Sequence, residues 1–80
     1  MDSEKSLISE TQKWLKKIEA LKIDPKTDKG NEYKTNIEAY IKDSKYFLEK
    51  KDYVRAFEAV IWAWAFLEIS KDQGLIEASS

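Results

Sequence analysis

The chain has 80 residues, no cysteine and no histidine, and 14 basic side chains against 15 acidic ones. That composition excludes disulfide staples and thiolate metal sites, and it removes the commonest general base and metal ligand. The near-balance of charge leaves no electrostatic drive toward double-stranded nucleic acid, so no such partner is expected.

Arg55 is the single arginine, and phosphate or carboxylate clamps favour its planar fork over lysine, so a multi-contact phosphate site is not expected. A chain of this length buries only about two-thirds of its unfolded surface, which predicts one small domain made of a few long elements. The longest apolar run, Ala59–Leu67, falls well short of the roughly 20 residues a bilayer-spanning helix needs. Met1–Lys5 is polar and no apolar stretch follows it, unlike a secretory leader. The expectation is a soluble, cytoplasmic protein with no membrane partner.

Three helices and no strand are predicted. The first covers about residues 3–22: Leu7, Thr11, Trp14, Ile18 and Leu21 recur at steps of four and three, with Ile8 and Leu15 widening the stripe. Ser3 or Ser6 is placed to cap its start. Lys13, Lys16 and Lys17 lie on the opposite face, interleaved with Glu10 and Glu19, and read as a solvated back. Asp24-Pro25 then breaks the helix, and Thr27, Asp28, Gly30 and Asn31 supply turn and cap chemistry.

The second helix is predicted over about residues 31–50. Tyr33, Ile37, Tyr40, Ile41, Ser44, Phe47 and Leu48 share one face, and Glu38–Lys42 and Lys45–Glu49 are spaced as i,i+4 pairs on the other. Lys50-Lys51-Asp52 makes a short connection, with Asp52 as N-cap of the third helix. So brief a link forces an antiparallel hairpin.

The third helix, about residues 53–73 and ended by Gly74, is the unusual one. Tyr53, Ala56, Phe57, Val60, Ala63, Trp64 and Leu67 form one apolar stripe, whereas Val54, Ile61, Trp62, Ala65, Phe66 and Ile69 form a second. A surface helix of a small domain needs only one stripe. Leu75-Ile76 is expected to fold back over the open end of the bundle, with Glu77–Ser80 frayed.

The run Ser44-Lys45-Tyr46-Phe47-Leu48-Glu49-Lys50-Lys51-Asp52-Tyr53-Val54-Arg55-Ala56-Phe57-Glu58-Ala59, followed by Trp62-Ala63-Trp64, Leu67-Glu68 and Gly74, resembles the hairpin of the archaeal domain-of-unknown-function family numbered 357. The likeness covers mainly residues 40–75. It implies an archaeal origin and an all-α, up-down-up three-helix bundle, and it brings no activity, cofactor or catalytic residue. Lys51 stands where that family usually has glycine, which predicts a turn strained by about 1 kcal/mol or wound differently.

Three functions follow from these residues. The first is a non-enzymatic interaction or self-assembly module, whose surface is Val54, Ile61, Trp62, Phe66 and Ile69 and whose partner is a second copy or another helical protein. The second is a nucleotide- or RNA-linked accessory domain using Lys34, Tyr40, Lys42, Lys45 and Tyr46 for charge and stacking, diluted by Glu38, Asp43 and Glu49. The third is a metal-dependent enzyme built on carboxylates such as Glu38, Glu49, Asp52, Glu58 and Glu68. It lacks the histidine that a di-metal bundle site wants. No catalytic residue, metal ligand or cofactor is expected.

Overall fold

The computed structural model describes residues 3–80; Met1 and Asp2, the start of the polar N-terminal stretch, lie outside the described residues. In chain order the elements are α1 (Ser3–Glu19), β1 (Lys22–Pro25), α2 (Asp28–Glu49), α3 (Tyr53–Asp72) and β2 (Ile76–Ser79). The all-α expectation therefore needs a correction, because the molecule also has a two-stranded antiparallel sheet. Its register pairs Ile23 with Ala78 and Pro25 with Ile76.

The strands explain two shifted boundaries. α1 stops near Glu19, closed by Ala20 N–H to Lys16 O and Leu21 N–H to Ile18 O at 3.2 Å each, because the following residues are needed in β1. Residues 77–79, expected to fray, are held in β2 together with Ile76, which folds back over the end of the bundle as expected. Ile76 is buried, and Ile23 and Ala78 pack on the same core, so the sheet seals one end of the bundle. On its outer side Asp24 sits directly opposite Glu77, a like-charge pairing that disfavours a sheet. Lys26 Nζ bridges the two, at 2.8 Å from Asp24 and 3.4 Å from Glu77. The hydrogen bond from Lys26 is the main cause holding the Asp24 carboxyl below the ordinary 3.8.

α2 begins at Asp28, not at residue 31, because Thr27 is the N-cap: its Oγ1 accepts from Gly30 N–H at 2.9 Å. Ser3 and Ser6, the caps proposed for α1, both lie inside that helix. Gly30, expected in a turn, lies in the first turn of α2 and is buried. A Cβ there would stand 2.1 Å from the Leu75 carbonyl oxygen, so only glycine lets the helix approach this closely. Leu75 O also accepts from Lys26 N–H at 2.9 Å.

Both C-termini of the hairpin helices close in the same way. After α2, Lys51 N–H reaches Leu48 O at 3.1 Å and Asp52 N–H reaches Phe47 O at 2.9 Å; after α3, Gly74 N–H reaches Lys71 O and Leu75 N–H reaches Ser70 O, both at 2.9 Å. The pivot residues are left-handed, with φ 62° at Lys51 and 71° at Gly74. The turn thus keeps the winding that glycine favours and imposes it on a lysine. Asp52 caps α3 as expected, accepting from Arg55 N–H at 3.3 Å.

α3 is the central helix. It packs extensively on α2 and, on its other flank, on α1, while α1 and α2 barely meet. Small residues set the α2–α3 approach: Ser44 Oγ donates to the Ala56 carbonyl at 2.7 Å, with both residues buried. α1 runs parallel to α3. Trp14 and Trp64 meet edge to face at 5.5 Å, Trp64 Nε1 donates to Trp14 O at 3.1 Å, and Leu7 shares a hollow with Phe57 at the same step along the chain. The helix order is thus up-down-up.

Ile18, Ile37, Ala63, Leu67 and Ile76 form the core cluster. The hydroxyls of Thr11 and Ser70 return to the carbonyls of Leu7 and Phe66 in their own helices, at 2.8 and 2.7 Å. Lys45, expected to pair with Glu49 on its own helix, instead reaches Glu19 on α1.

Candidate interaction face

α3 turns through about 100° per residue, so its buried residues Ala56, Ala59, Val60, Ala63, Leu67 and Ser70 gather on one side. Val54, Ile61, Trp62 and Ile69 gather on the opposite side. In the single subunit they remain exposed, by 62%, 43%, 54% and 43% respectively. The second apolar stripe is therefore not covered by α1 and α2, and four of the five residues singled out from the sequence stand together on it.

Phe66, the fifth, is placed differently. Its ring stacks on Tyr40 at 5.5 Å, meets the edge of Tyr33 at 5.8 Å and lies 6.2 Å from Trp62. It is half-buried in the α2–α3 seam. The physical reason is reach: the two tyrosines of α2 extend around the flank of α3 and cover the ring nearest to them. Phe66 thus joins the exposed patch to the aromatic packing of the subunit, with Trp62 leaning on it from outside.

Sequence reasoning left out the charged members of this face. Arg55 and Glu68 lie at its edges and Glu58 near its middle, all exposed. Arg55 Nε stands 3.5 Å from Asp52, and Lys71 Nζ stands 3.9 Å from Glu68. Both are loose, solvated contacts of little energetic weight. The signal for including Arg55 and Glu68 was available in their helical positions, which fall beside Trp62 and Ile61 once every residue is placed at 100° steps.

The stacking-plus-charge set is divided, with Tyr40 turned toward α3 and away from the others. Tyr40 is stacked on Phe66, Lys45 is paired with Glu19, and Tyr46 is exposed beneath Lys50, whose Nζ lies 5.5 Å from the ring centre. Among the described residues, no three carboxylates gather with metal-ligand geometry. Glu58, flanked by apolar neighbours in the sequence, faces solvent. No helix among the described residues is long and apolar enough to cross a membrane.

A small up-down-up helical bundle, sealed at one end by a two-stranded sheet and bearing an uncovered apolar helix face, is the class these features define. The chain belongs to the family of proteins of unknown function DUF357, which it matches over residues 8–76. It is similar to a crystal structure of protein AF1782 from the archaeon Archaeoglobus fulgidus, a member of the same family, with 48% identity and a TM-score of 0.82. That likeness covers 98% of this chain and 100% of the other. No curated protein matches the chain.

Proposed function

We propose that this protein is a non-enzymatic assembly module that binds through the outer face of α3. The observation that carries the reading is the exposure of Val54, Ile61, Trp62 and Ile69 along one side of a helix already anchored by its other side. Scattered apolar residues on a surface are ordinary, but a contiguous patch commonly marks an interface. Tryptophan is also enriched among the residues that dominate binding. The polar rim of Arg55 and Glu68, with Glu58 exposed inside it, suits an interface that must also tolerate water when unoccupied.

The reading requires that these side chains serve binding and not folding. Val54→Ser, Ile61→Ser and Ile69→Ser are expected to change the unfolding free energy by no more than about 0.5 kcal/mol each, measured by urea denaturation in dilute solution. A loss several times larger for each substitution would assign the stripe to the fold and end the proposal.

A further inference from the structure

We propose that Lys26 is the latch of a movable strap: its ammonium holds β2 on β1, and loss of that one charge lets β2 swing away as a unit while the helices stay folded. The device does not depend on what α3 binds.

β2 is attached by few contacts. The bond from Leu75 N–H to Ser70 O, at 2.9 Å, is the last backbone bond tying this part of the chain to a helix. Past Leu75, among the described residues, the polar contacts of β2 go to β1 and to Lys26. Its apolar attachment is Ile76, buried in the cluster of Ile18, Ile37, Ala63 and Leu67, with Ala78 packed against that cluster.

The outer side of the sheet works against this attachment. Lys26 N–H bonds Leu75 O, so stepping back two residues makes Asp24 and Glu77 a hydrogen-bonded pair, level with each other across the strands. Two exposed carboxylates opposed in this way repel. Lys26 sits two residues beyond Asp24 and diagonal to Glu77, and its Nζ reaches both, at 2.8 and 3.4 Å. The hydrogen bond to Asp24, with the charges of Asp24 and Glu77, holds the ammonium above its ordinary 10.5, so it stays charged.

Other cations surround the pair without bridging it. Lys22 on β1 and Lys34 on α2 act on Asp24 from a distance. Lys71 of α3 borders the same outer hollow, and its own contact is to Glu68. Among the described residues only Lys26 forms an ion pair with Asp24 or Glu77. Removing its charge therefore leaves the facing carboxylates opposed at the one place where β2 is joined to β1. The crossing of α2 and α3 at Ser44 and Ala56 is untouched. Release would bare Ile23 and the end of the core that Ile76 covers.

Amide hydrogen exchange of the full chain at low ionic strength, followed by NMR, tests the latch at Glu77 and Ser79, with each rate corrected for its own sequence. Lys26→Met keeps the alkyl stem and removes the charge. It should speed both amides about three- to tenfold, while amides near Ala63 and Leu67 keep their wild-type rates. Adding Glu77→Gln removes the repulsion and should return the Ser79 amide to within about twofold of wild type. Lys22→Met, a charge lost from the same side of β1 without a bridge, should change these rates by less than about twofold. In about 0.5 M salt the gap between Lys26→Met and wild type should close.

Unchanged exchange in Lys26→Met would show that Ile76 and the strand ladder hold β2 unaided, and would overturn the proposal. An acceleration that Glu77→Gln does not reverse, or that persists in salt, would assign the effect to the lysine stem instead of its charge. Equal acceleration in Lys22→Met would assign it to the general field of the lysines and equally remove the latch. Core amides that quicken in step with those of β2 would show that the strap has no opening of its own.

Discussion

The two long sides of α3 are both apolar, yet one is buried and the other is not. The inner side carries Ala56, Ala59, Ala63 and Ser70, with Val60 and Leu67 between them, and all are buried. The outer side carries Val54, Ile61, Trp62 and Ile69, all exposed. Hydrophobicity alone does not separate these sets; what marks the inner one is its small residues, Ala56, Ala59, Ala63 and Ser70. Small residues let the backbones of α2 and α3 approach until Ser44 Oγ bonds the Ala56 carbonyl, and Leu67 and Val60 then fill the grooves between them. Bulky residues on the inner side would hold the helices apart.

The largest test of that contrast is Leu67→Ala. It leaves a cavity in the central cluster and should lower stability by about 2–5 kcal/mol, read as a shifted urea midpoint at unchanged slope. Next comes overpacking. Ala63→Leu adds volume where the helices are closest and should lower stability by about 1–3 kcal/mol; a neutral result would mean that the inner side does not depend on small residues.

A change at the hairpin tip, which sets the register of both sides, should act with opposite sign. Lys51→Gly relieves a left-handed lysine and should raise the urea midpoint by an amount worth about 1 kcal/mol. The serine substitutions on the outer side come last, with an effect near the limit of measurement. If they rivalled Leu67→Ala, the distinction between the two sides would fail.

Much of this was legible in the sequence, for physical reasons that differ by region. The three helices announced themselves through steps of three and four in Thr11, Leu15 and Ile18 or Ile37, Tyr40 and Ser44. Asp52 and Gly74 marked ends because capping and left-handed backbone are local matters. The split of α3 into two stripes followed from the same periodicity, and it anticipated the exposed positions of Val54, Ile61, Trp62 and Ile69.

The sheet was not legible. Each strand is four residues long, β1 contains Asp24-Pro25, and the two are brought together only by the fold. Gly30 read as a turn residue because the need for a missing side chain comes from Leu75, far away in the chain. Phe66 was assigned to the open surface because nothing local reveals that Tyr33 and Tyr40 reach across from α2.

The Leu75 carbonyl has a consequence for how the molecule opens. It is the acceptor for the Lys26 amide at 2.9 Å and lies against the bare Cα of Gly30, so the entry to α2 and the exit from α3 are fastened at one atom. Detaching β2 frees the Lys26 amide to solvent while the Ser44–Ala56 crossing stays closed. In hydrogen exchange, the Lys26 amide should therefore report a sub-global opening confined to this corner, with protection well below that of amides near Ala63 and Leu67. Equal protection at both places would mean that the corner and the helical core unlock as one cooperative unit.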